Sequence, residues 1–589
     1  MDPSLTFAEW AARYDTPDEA FRAGLERQVQ DLADPPTISV LLPVYDPPVA
    51  LLREAIESVL GQWYPHWELC IADDCSTDPA VGEILARYAA GDRRVKVVRR
   101  TDNGHIAAAT NSALAVATGR WVAFLDHDDL LAPQALATVA VHLAARPDAG
   151  LVYSDEDLVD VDGHRIAHYF KPDFDPLLLL GQNSICHLCV VRRDLVEEIG
   201  GLSEGYEGSQ DWDLVLRVSE HLDRHQVVHV PQILYHWRTH PASTSASLAA
   251  KPYAAGAGFR AVRDHMDRRY GVDPGQPGSA PAVEPIPGLG WNRVRRPLPD
   301  PAPLVTIVVR CADGDRLDRC LRSVWGRTTY PRYEIVVVGP GTASPAAADL
   351  LRREAGRLRV VGGEGVAGPS TLANRGAALA TGQVLCFVDE AAEVVSPDWM
   401  GTLVSQVLCP GVGAVGAGFH RPDGRLRDAG LVLGLGGAAG PAHPGLDRLD
   451  IGYWGRAALP RQVSAVSGDG LAVRREAWEA AGGFDDAHLP GPHADVDLCL
   501  RLAVAGWITV WEPFAELLWS RPEPPGSGGE PSGGGTADEA GPGSVTAAVR
   551  YLRARWGPKL DDDPAYNPNL SLDRGDFSPA SPPRGRRDG

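Results

Sequence analysis

The sequence predicts an α/β fold of two tandem, Rossmann-like domains with mainly parallel sheets and short helical N- and C-terminal extensions. Three observations predict it. Apolar, strand-like runs alternate with amphipathic helical segments from about residue 37 onward. The alternation restarts near Pro301. Motifs of the first half then recur, in the same order, in the second.

The first 34 residues carry a helical pattern that Pro35-Pro36 ends. TISVLLPVY then reads as a buried strand and VALLREAIESVLGQW as a helix. HWELCIADD is a strand, followed by a helix through VGEILARYAA. RVKVVRR is a third strand, AAATNSALAVATG a helix and RWVAFLD a fourth strand. A sheet of this kind takes helices on both faces and binds ligands at the carboxyl ends of its strands. In the second half, PLVTIVVRCADGDRLDRCLRSVWGR repeats the first strand and helix. ATGQVLCFVDEAA, from Ala380, matches ATGRWVAFLDHDD, from Ala117, without a gap. GGFDDAHLPGPHADVDLCLR from Gly482 echoes GGLSEGYEGSQDWDLVLR from Gly200.

The expected layout is a helical extension (1–34), a first domain (35–271), a Pro/Gly-rich linker (272–301) and a second domain (302–521). A low-complexity, flexible segment (522–542) and a C-terminal helix and tail (543–589) follow, the last dozen residues predicted disordered. A chain of 589 residues is too long for one core. The net charge of −21 speaks against nucleic acid as the main partner. Nine scattered cysteines suit a reducing cytoplasm better than a disulfide framework. The acidic N-terminus is not read as a signal peptide, and the Gly- and Ala-rich stretch Ala429–Leu446 is not read as a membrane span. A soluble, cytoplasmic protein is expected.

Three strand ends of the first copy should meet on one edge: Pro43-Val44-Tyr45, Asp73-Asp74, and Asp126-His127-Asp128-Asp129. Any one carboxylate there could simply solvate a loop. Together they suit a hard divalent cation, Mg²⁺ or Mn²⁺, with open positions for phosphate oxygens. No P-loop occurs, and PVYDPP has no glycine fingerprint for a dinucleotide. Asp211 and Asp213 begin an amphipathic helix, where acids favourably meet the helix dipole and where one could also act as a general base. His236, Arg238 and His240 follow a later strand; imidazole could complete a metal shell and guanidinium could neutralise phosphate. Cys186-His187-Leu188-Cys189 is a lone CxxC and reads as strand core rather than zinc site.

With these motifs in order, the first copy resembles a glycosyltransferase family 2 domain of the GT-A fold, the fold of nucleotide-diphospho-sugar transferases. The resemblance rests on ISVLLPVY, ELCIADDCSTD, NGHIAAATNSALAVATGRWVAFLDHDD, YSDEDLVDVDG, FKPDFDP, EGSQDWDLVLR and YHWRTHPAST. The second copy resembles the partner domain of two-domain bacterial members, through GAVGAGFHRPDGRLRDAGLVLGLGG, SAVSGDGLAVRR and DVDLCLR. The resemblance implies an inverting enzyme with a nucleotide-sugar donor, UDP- or dTDP-linked, and Mn²⁺ or Mg²⁺. The implied acceptor is a glycan or lipid-linked glycan of bacterial surface polysaccharide or cell wall, met at the cytoplasmic membrane face. Residue by residue, it implies Pro43, Tyr45, Asp74, Asn111, Asp126 and Arg238 as donor-binding and Asp211 as the base. The metal ligands it implies are Asp128 and His236, with His240 the alternate.

In the second copy Ala391-Ala392 replace Asp128-Asp129, Gly339-Pro340 replace Asp73-Asp74, and Arg310-Cys311-Ala312 replace Pro43-Val44-Tyr45. By count, Trp519 falls near the position of His236. Asp495 remains opposite Asp211. The second domain is therefore expected to be inactive. Two rival readings are a sugar nucleotidyltransferase, which needs a glycine-rich basic loop after its first strand, and a non-catalytic carbohydrate-binding or assembly protein.

Overall fold

The computed structural model describes residues 5–239, 252–271, 280–362, 368–521 and 544–585. The chain divides into two compact units. Unit 1 runs to Val294 and includes the chain from Ser581; unit 2 is Arg295–Ala580. The low-complexity segment read as flexible, 522–542, lies outside the described residues.

Unit 1 contains β1 (Ile38–Val44), β2 (Trp67–Asp73), β3 (Val95–Arg99), β4 (Trp121–Phe124), β5 (Leu130–Leu131), β6 (Leu151–Val159), β7 (Arg165–Tyr169), β8 (Cys189–Arg192) and β9 (Val227–Arg238). Its helices are α1 (Phe7–Tyr14), α2 (Glu19–Gln30), α3 (Val49–Leu60), α4 (Pro79–Gly91), α5 (His105–Leu114), α6 (Ala135–Ala145), α7 (Pro176–Gly181), α8 (Arg193–Glu198), α9 (Gln210–Ser219) and α10 (Pro252–Tyr270). The sheet order is β3-β2-β1-β4-β8-β6-β9-β5, with β7 added to β6. The four strands β3 to β4 are parallel, and β8 runs against β4 and β6. Every residue of β1 and β2 is buried, as continuous apolar runs require in a sheet covered on both faces.

A buried polar clasp closes the amino ends of these strands. Glu68 accepts from Ser39, from the Thr118 N–H and hydroxyl, and from Lys96 at 2.6 Å. Burial pushes its carboxyl up, but those donors outweigh burial and bring it to about 2. Gly119 fits because a Cβ there would lie 2.6 Å from Ser39 Oγ. In unit 2, Glu334 gathers Thr306 and Thr381 in the same way, and Gly382 packs against Thr306. The repeated ATG motif is thus a structural turn at the end of the sheet far from the strand tips.

Unit 2 repeats the arrangement. Val305 pairs with Tyr333 and Val384 just as Ile38 pairs with Trp67 and Trp121. Its tail is built in: Asp563 accepts from the Leu433 N–H at 2.8 Å and from Ser464 at 2.6 Å, and Phe577 stacks on His443 at 4.3 Å. Two expectations change here. Within the last dozen residues, which the sequence reads as disordered, Pro579 bridges Leu570 and Ala580 is buried, because apolar side chains of the tail complete this core; 586–589 lie outside the described residues. The stretch read as linker, 272–301, carries a two-stranded ribbon, β10 (Ala282–Ile286) with β11 (Trp291–Arg295).

Candidate active site

At the carboxyl edge of unit 1, β1 delivers Tyr45, which is 47% exposed, and Asp46. Asp46 accepts from the Thr77 and Asp78 N–H groups at 2.8 and 3.0 Å, tying the first loop to the second. Asp74 is buried, accepting from Arg100 at 2.7 Å and from the Gly104 N–H at 3.0 Å. Pro43 lies within β1, its carbonyl 3.3 Å from His127 Nδ1.

The loop after β4 sorts its three acids into two roles. Asp129 is buried, accepting from the Tyr235 hydroxyl at 2.6 Å and from the Arg238 N–H at 2.8 Å. Arg238 donates onward to the Asp128 carbonyl at 2.9 Å and to Glu54 at 2.6 Å. Asp126 and Asp128 remain half-buried at the edge. Burial pushes the Asp126 carboxyl above its usual range; His187 pulls it down, while Asp128 and Asp211 push it further up. Burial, then Asp128 and Asp126, raise Asp129 in the same sense. A divalent cation taking oxygen ligands relieves this mutual repulsion, so the donor set fits one.

Two donor-binding expectations and one metal expectation are corrected by the geometry. Arg238 is only 2% exposed and braces the acidic loop, so it is not presented to phosphate. Asn111 donates to the Leu202 carbonyl and accepts from the Leu202 N–H, both at 2.8 Å. Asn374 makes the matching pair with Phe484 in unit 2, which marks a structural clasp and not a donor contact. His236 is corrected by the period of β9. Tyr235 and Trp237 face His187, whereas His236 turns to the other side, with Nδ1 2.5 Å from Asp157 Oδ1. Asp157 also holds Arg165, which reaches Asp15 at 2.6 Å. His240 lies outside the described residues.

Beside His127, a second histidine stands at the edge: His187, within the CxxC that reads as strand core in the sequence. Its ring stacks on Tyr235 at 4.7 Å, and Nδ1 lies 3.0 Å from Glu156 Oε2. Burial would lower its pKa, but Glu156, Asp126 and Asp129 outweigh burial and raise it to about 9. One ring nitrogen of His187, the Cys186 Sγ and an Asp211 carboxylate oxygen lie within 4.8 Å of one another. Asp211, in the first turn of α9, also accepts from Asn183 at 2.8 Å. Its neighbour Asp213 is buried against Arg217, as Asp497 is against Arg501 in unit 2. Of the two helix-start acids, Asp213 is structural and Asp211 faces the site.

Register fixes the counterparts in unit 2. Arg310 stands at Pro43, Asp389 at Asp126 and Asp469 at His187. Asp469 binds Arg310 at 2.5 Å and Arg427 at 2.6 Å, and Arg521 reaches Asp389 at 3.1 Å. These two arginines bring the Asp469 carboxyl far below its usual range against the opposing effect of burial. Register sharpens the count that set Trp519 near His236: Leu518 pairs with His420 as His236 pairs with Asp157, so Trp519 is one position on and matches Trp237. An open cleft of about 730 Å³ borders this edge, its Arg316 paired with Asp313 and its Arg521 with Glu390.

Comparison with known proteins follows this division. Residues 39–200 match Glycosyl transferase family 2, and residues 301–557 match Glycosyltransferase like family 2. The uncharacterized protein y4gI of Sinorhizobium fredii is 41% identical over 569 residues, covering 96% of this chain and 61% of that protein. The O-antigen biosynthesis protein RfbC of Myxococcus xanthus is 35% identical over 577 residues, covering 97% of this chain and 43% of that protein. The chain thus spans less than two thirds of either relative. A crystal structure of S. aureus TarS 1-349 in complex with UDP-GlcNAc aligns with 39% of this chain and 66% of its own, at 18% identity and a TM-score of 0.33.

Proposed function

The chain belongs to glycosyltransferase family 2, and from that premise we propose that unit 1 transfers a sugar from a nucleotide-diphosphate donor to a hydroxyl acceptor, with inversion. The observation that carries the reading is Asp126 and Asp211 set beside His187 at one sheet edge, with Asp128 acting on Asp126. Two of the edge acids, Asp128 and Asp129, become alanine in unit 2.

Each residue then has a task. Tyr45 and Asp74 line the nucleotide side, with Pro43 in the strand beneath. Asp126 lies toward the ribose. Asp128 would hold Mn²⁺ or Mg²⁺, and His240 remains the candidate histidine for it. The ion, when bound, neutralises the departing diphosphate. Asp211 accepts the proton of the attacking hydroxyl as the new bond to the anomeric carbon forms on the face opposite the leaving group. Asn183 holds the Asp211 carboxylate in place by its 2.8 Å hydrogen bond. Tyr235 and Arg238 fix the acidic loop, so that little reorganisation accompanies the reaction.

The name of the Myxococcus relative supports an acceptor in surface polysaccharide assembly, glycan or lipid-linked. Among the described residues no helix is long and apolar enough to cross a membrane; peripheral work at the cytoplasmic membrane face is part of the proposal. Unit 2 serves as a non-catalytic partner domain. The test is release of nucleoside diphosphate from UDP-, dTDP- and GDP-sugars with Mn²⁺, wild type beside Asp128→Ala. Metal-dependent release lost in the variant supports the reading. Donor binding without turnover, with acceptor glycans supplied, would replace it with a carbohydrate-binding protein.

A further inference from the structure

The departing diphosphate brings negative charge into a loop-and-helix edge that already holds Asp126, Asp128, Asp129 and Asp211. One divalent ion does not balance that total. Arginine is the usual protein answer, yet among the described residues Arg238 is engaged with Glu54 and the loop carbonyl, Arg100 with Asp74, and Arg99 with Asp73 and the Ser76 carbonyl. His187 is different. Its ring is set beside Asp211, close enough to Asp126 for their charges to interact, and it stacks on the tyrosine that carries the acidic loop.

We propose that His187 is a catalytic residue of unit 1, its Nε2–H donating to the phosphate oxygen that leaves the anomeric carbon. The proposal rests on the transferase reading above. Glu156 accepts from Nδ1 at 3.0 Å, which fixes the ring's orientation and leaves Nε2 as the donor toward substrate. The parallel stack on Tyr235, tilted by only 18°, and the contact with Trp237 prevent the ring from swinging away. As the acceptor oxygen bonds to the anomeric carbon, the bond from that carbon to the phosphate oxygen breaks. The electron pair goes to that oxygen, and the acceptor proton goes to Asp211. The hydrogen bond from His187 strengthens as charge accumulates on the oxygen, which is where a donor lowers the barrier.

Unit 2 offers an internal comparison. At the register position of His187 it carries Asp469, which the chain neutralises with its own Arg310 and Arg427. The polarity of this one position is reversed in the unit where Ala391 and Ala392 replace Asp128 and Asp129. A side chain needed only to fill space would not require such compensation.

The test compares wild type, His187→Gln and His187→Ala as full chains, with circular dichroism confirming the fold. Calorimetric affinity for UDP, dTDP and GDP is measured in EDTA, where no metal contributes. Turnover is measured with Mn²⁺ and the donor that wild type uses. His187→Ala should lower kcat about 100-fold or more and weaken the best-bound nucleoside diphosphate about 10-fold in EDTA. His187→Gln, which keeps an N–H donor without charge, should fall between. Wild-type affinity and kcat in both variants would overturn the proposal and leave His187 a counter-charge for Glu156. A rise in KM alone, with kcat unchanged, would also overturn it. If His187→Ala fails to fold, His187→Gln decides: intermediate affinity and kcat support the proposal, and wild-type values overturn it. If wild type itself releases no nucleoside diphosphate from any donor with acceptor present, the transferase reading fails and takes this proposal with it; release unaffected by His187 changes overturns this proposal alone.

Discussion

Tyr235 donates its hydroxyl to Asp129 at 2.6 Å and lays its ring against His187 at 4.7 Å. One side chain thereby sets both the height of the acidic loop and the plane of the imidazole. Tyr235→Phe keeps the stack and removes the hydrogen bond. A buried carboxyl left short of a donor costs about 1–3 kcal/mol, so the variant should unfold at lower urea concentration. Its metal-dependent nucleoside diphosphate release should also drop, because Asp126 and Asp128 share the loop.

The two units make a matched experiment on the base. Asp211→Asn keeps the side chain's shape and removes its proton affinity, and kcat should fall about 100- to 10,000-fold. Asp495→Asn alters the register-equivalent helix start in unit 2, where the carboxylate accepts from the Gly468 N–H at 2.8 Å. An asparagine oxygen can still accept that bond. Turnover should therefore be unchanged in Asp495→Asn, and an equal loss in both variants would make both units catalytic.

Asn111→Ala breaks two backbone hydrogen bonds to Leu202, and Asn374→Ala breaks their twins to Phe484. Each should cost about 1–3 kcal/mol, read from denaturant midpoints of the two variants. Donor affinity of folded Asn111→Ala should match wild type. A loss of donor affinity without loss of stability would return Asn111 to the donor site.

Asp15 carries a pH signature. Burial raises its carboxyl to about 6, against the pull of Arg165. A raised carboxyl means that folding favours the protonated form. That stability is complete below the unfolded value near 3.9 and is lost as pH rises through about 6, at most about 3 kcal/mol. Asp15→Asn should therefore gain stability relative to wild type as pH rises from 4 to 7, and thermal midpoints across that range check it.

Much of this architecture is legible in the sequence because it depends on local pattern. Continuous apolar runs give β1 and β2, and the repeated ATG turn marks where a Cβ has no room beside Ser39 and Thr306. The acids at the strand tips are legible for the same reason: a strand's end is where its polarity changes. What is not legible is which partner a polar side chain finds across the fold. Asn111 meets Leu202, 91 positions away, and Arg238 meets Glu54, 184 positions away. His236 illustrates a narrower limit. Alternation in Tyr235-His236-Trp237 says that the histidine opposes its neighbours but not which face holds the site. His187 did leave a trace, since its echo, Asp469, is polar at the same register inside an apolar strand entry. The flanking Cys186 and Cys189 make the segment read as strand core instead.

The Arg310–Asp469–Arg427 cluster makes three positions of unit 2 depend on one another. Restoring a histidine at position 469 alone would leave two half-buried guanidinium groups without their shared carboxylate. Restoring a proline at 310 alone would remove one of the two guanidinium partners of Asp469. Arg310 keeps Asp389 at 3.7 Å and Arg427 keeps Asp428 at 3.7 Å, so the cost stays below the about 3–5 kcal/mol of a fully stranded buried charge. The three side chains of unit 2 are therefore energetically tied, and a change at any one of them is felt at the other two.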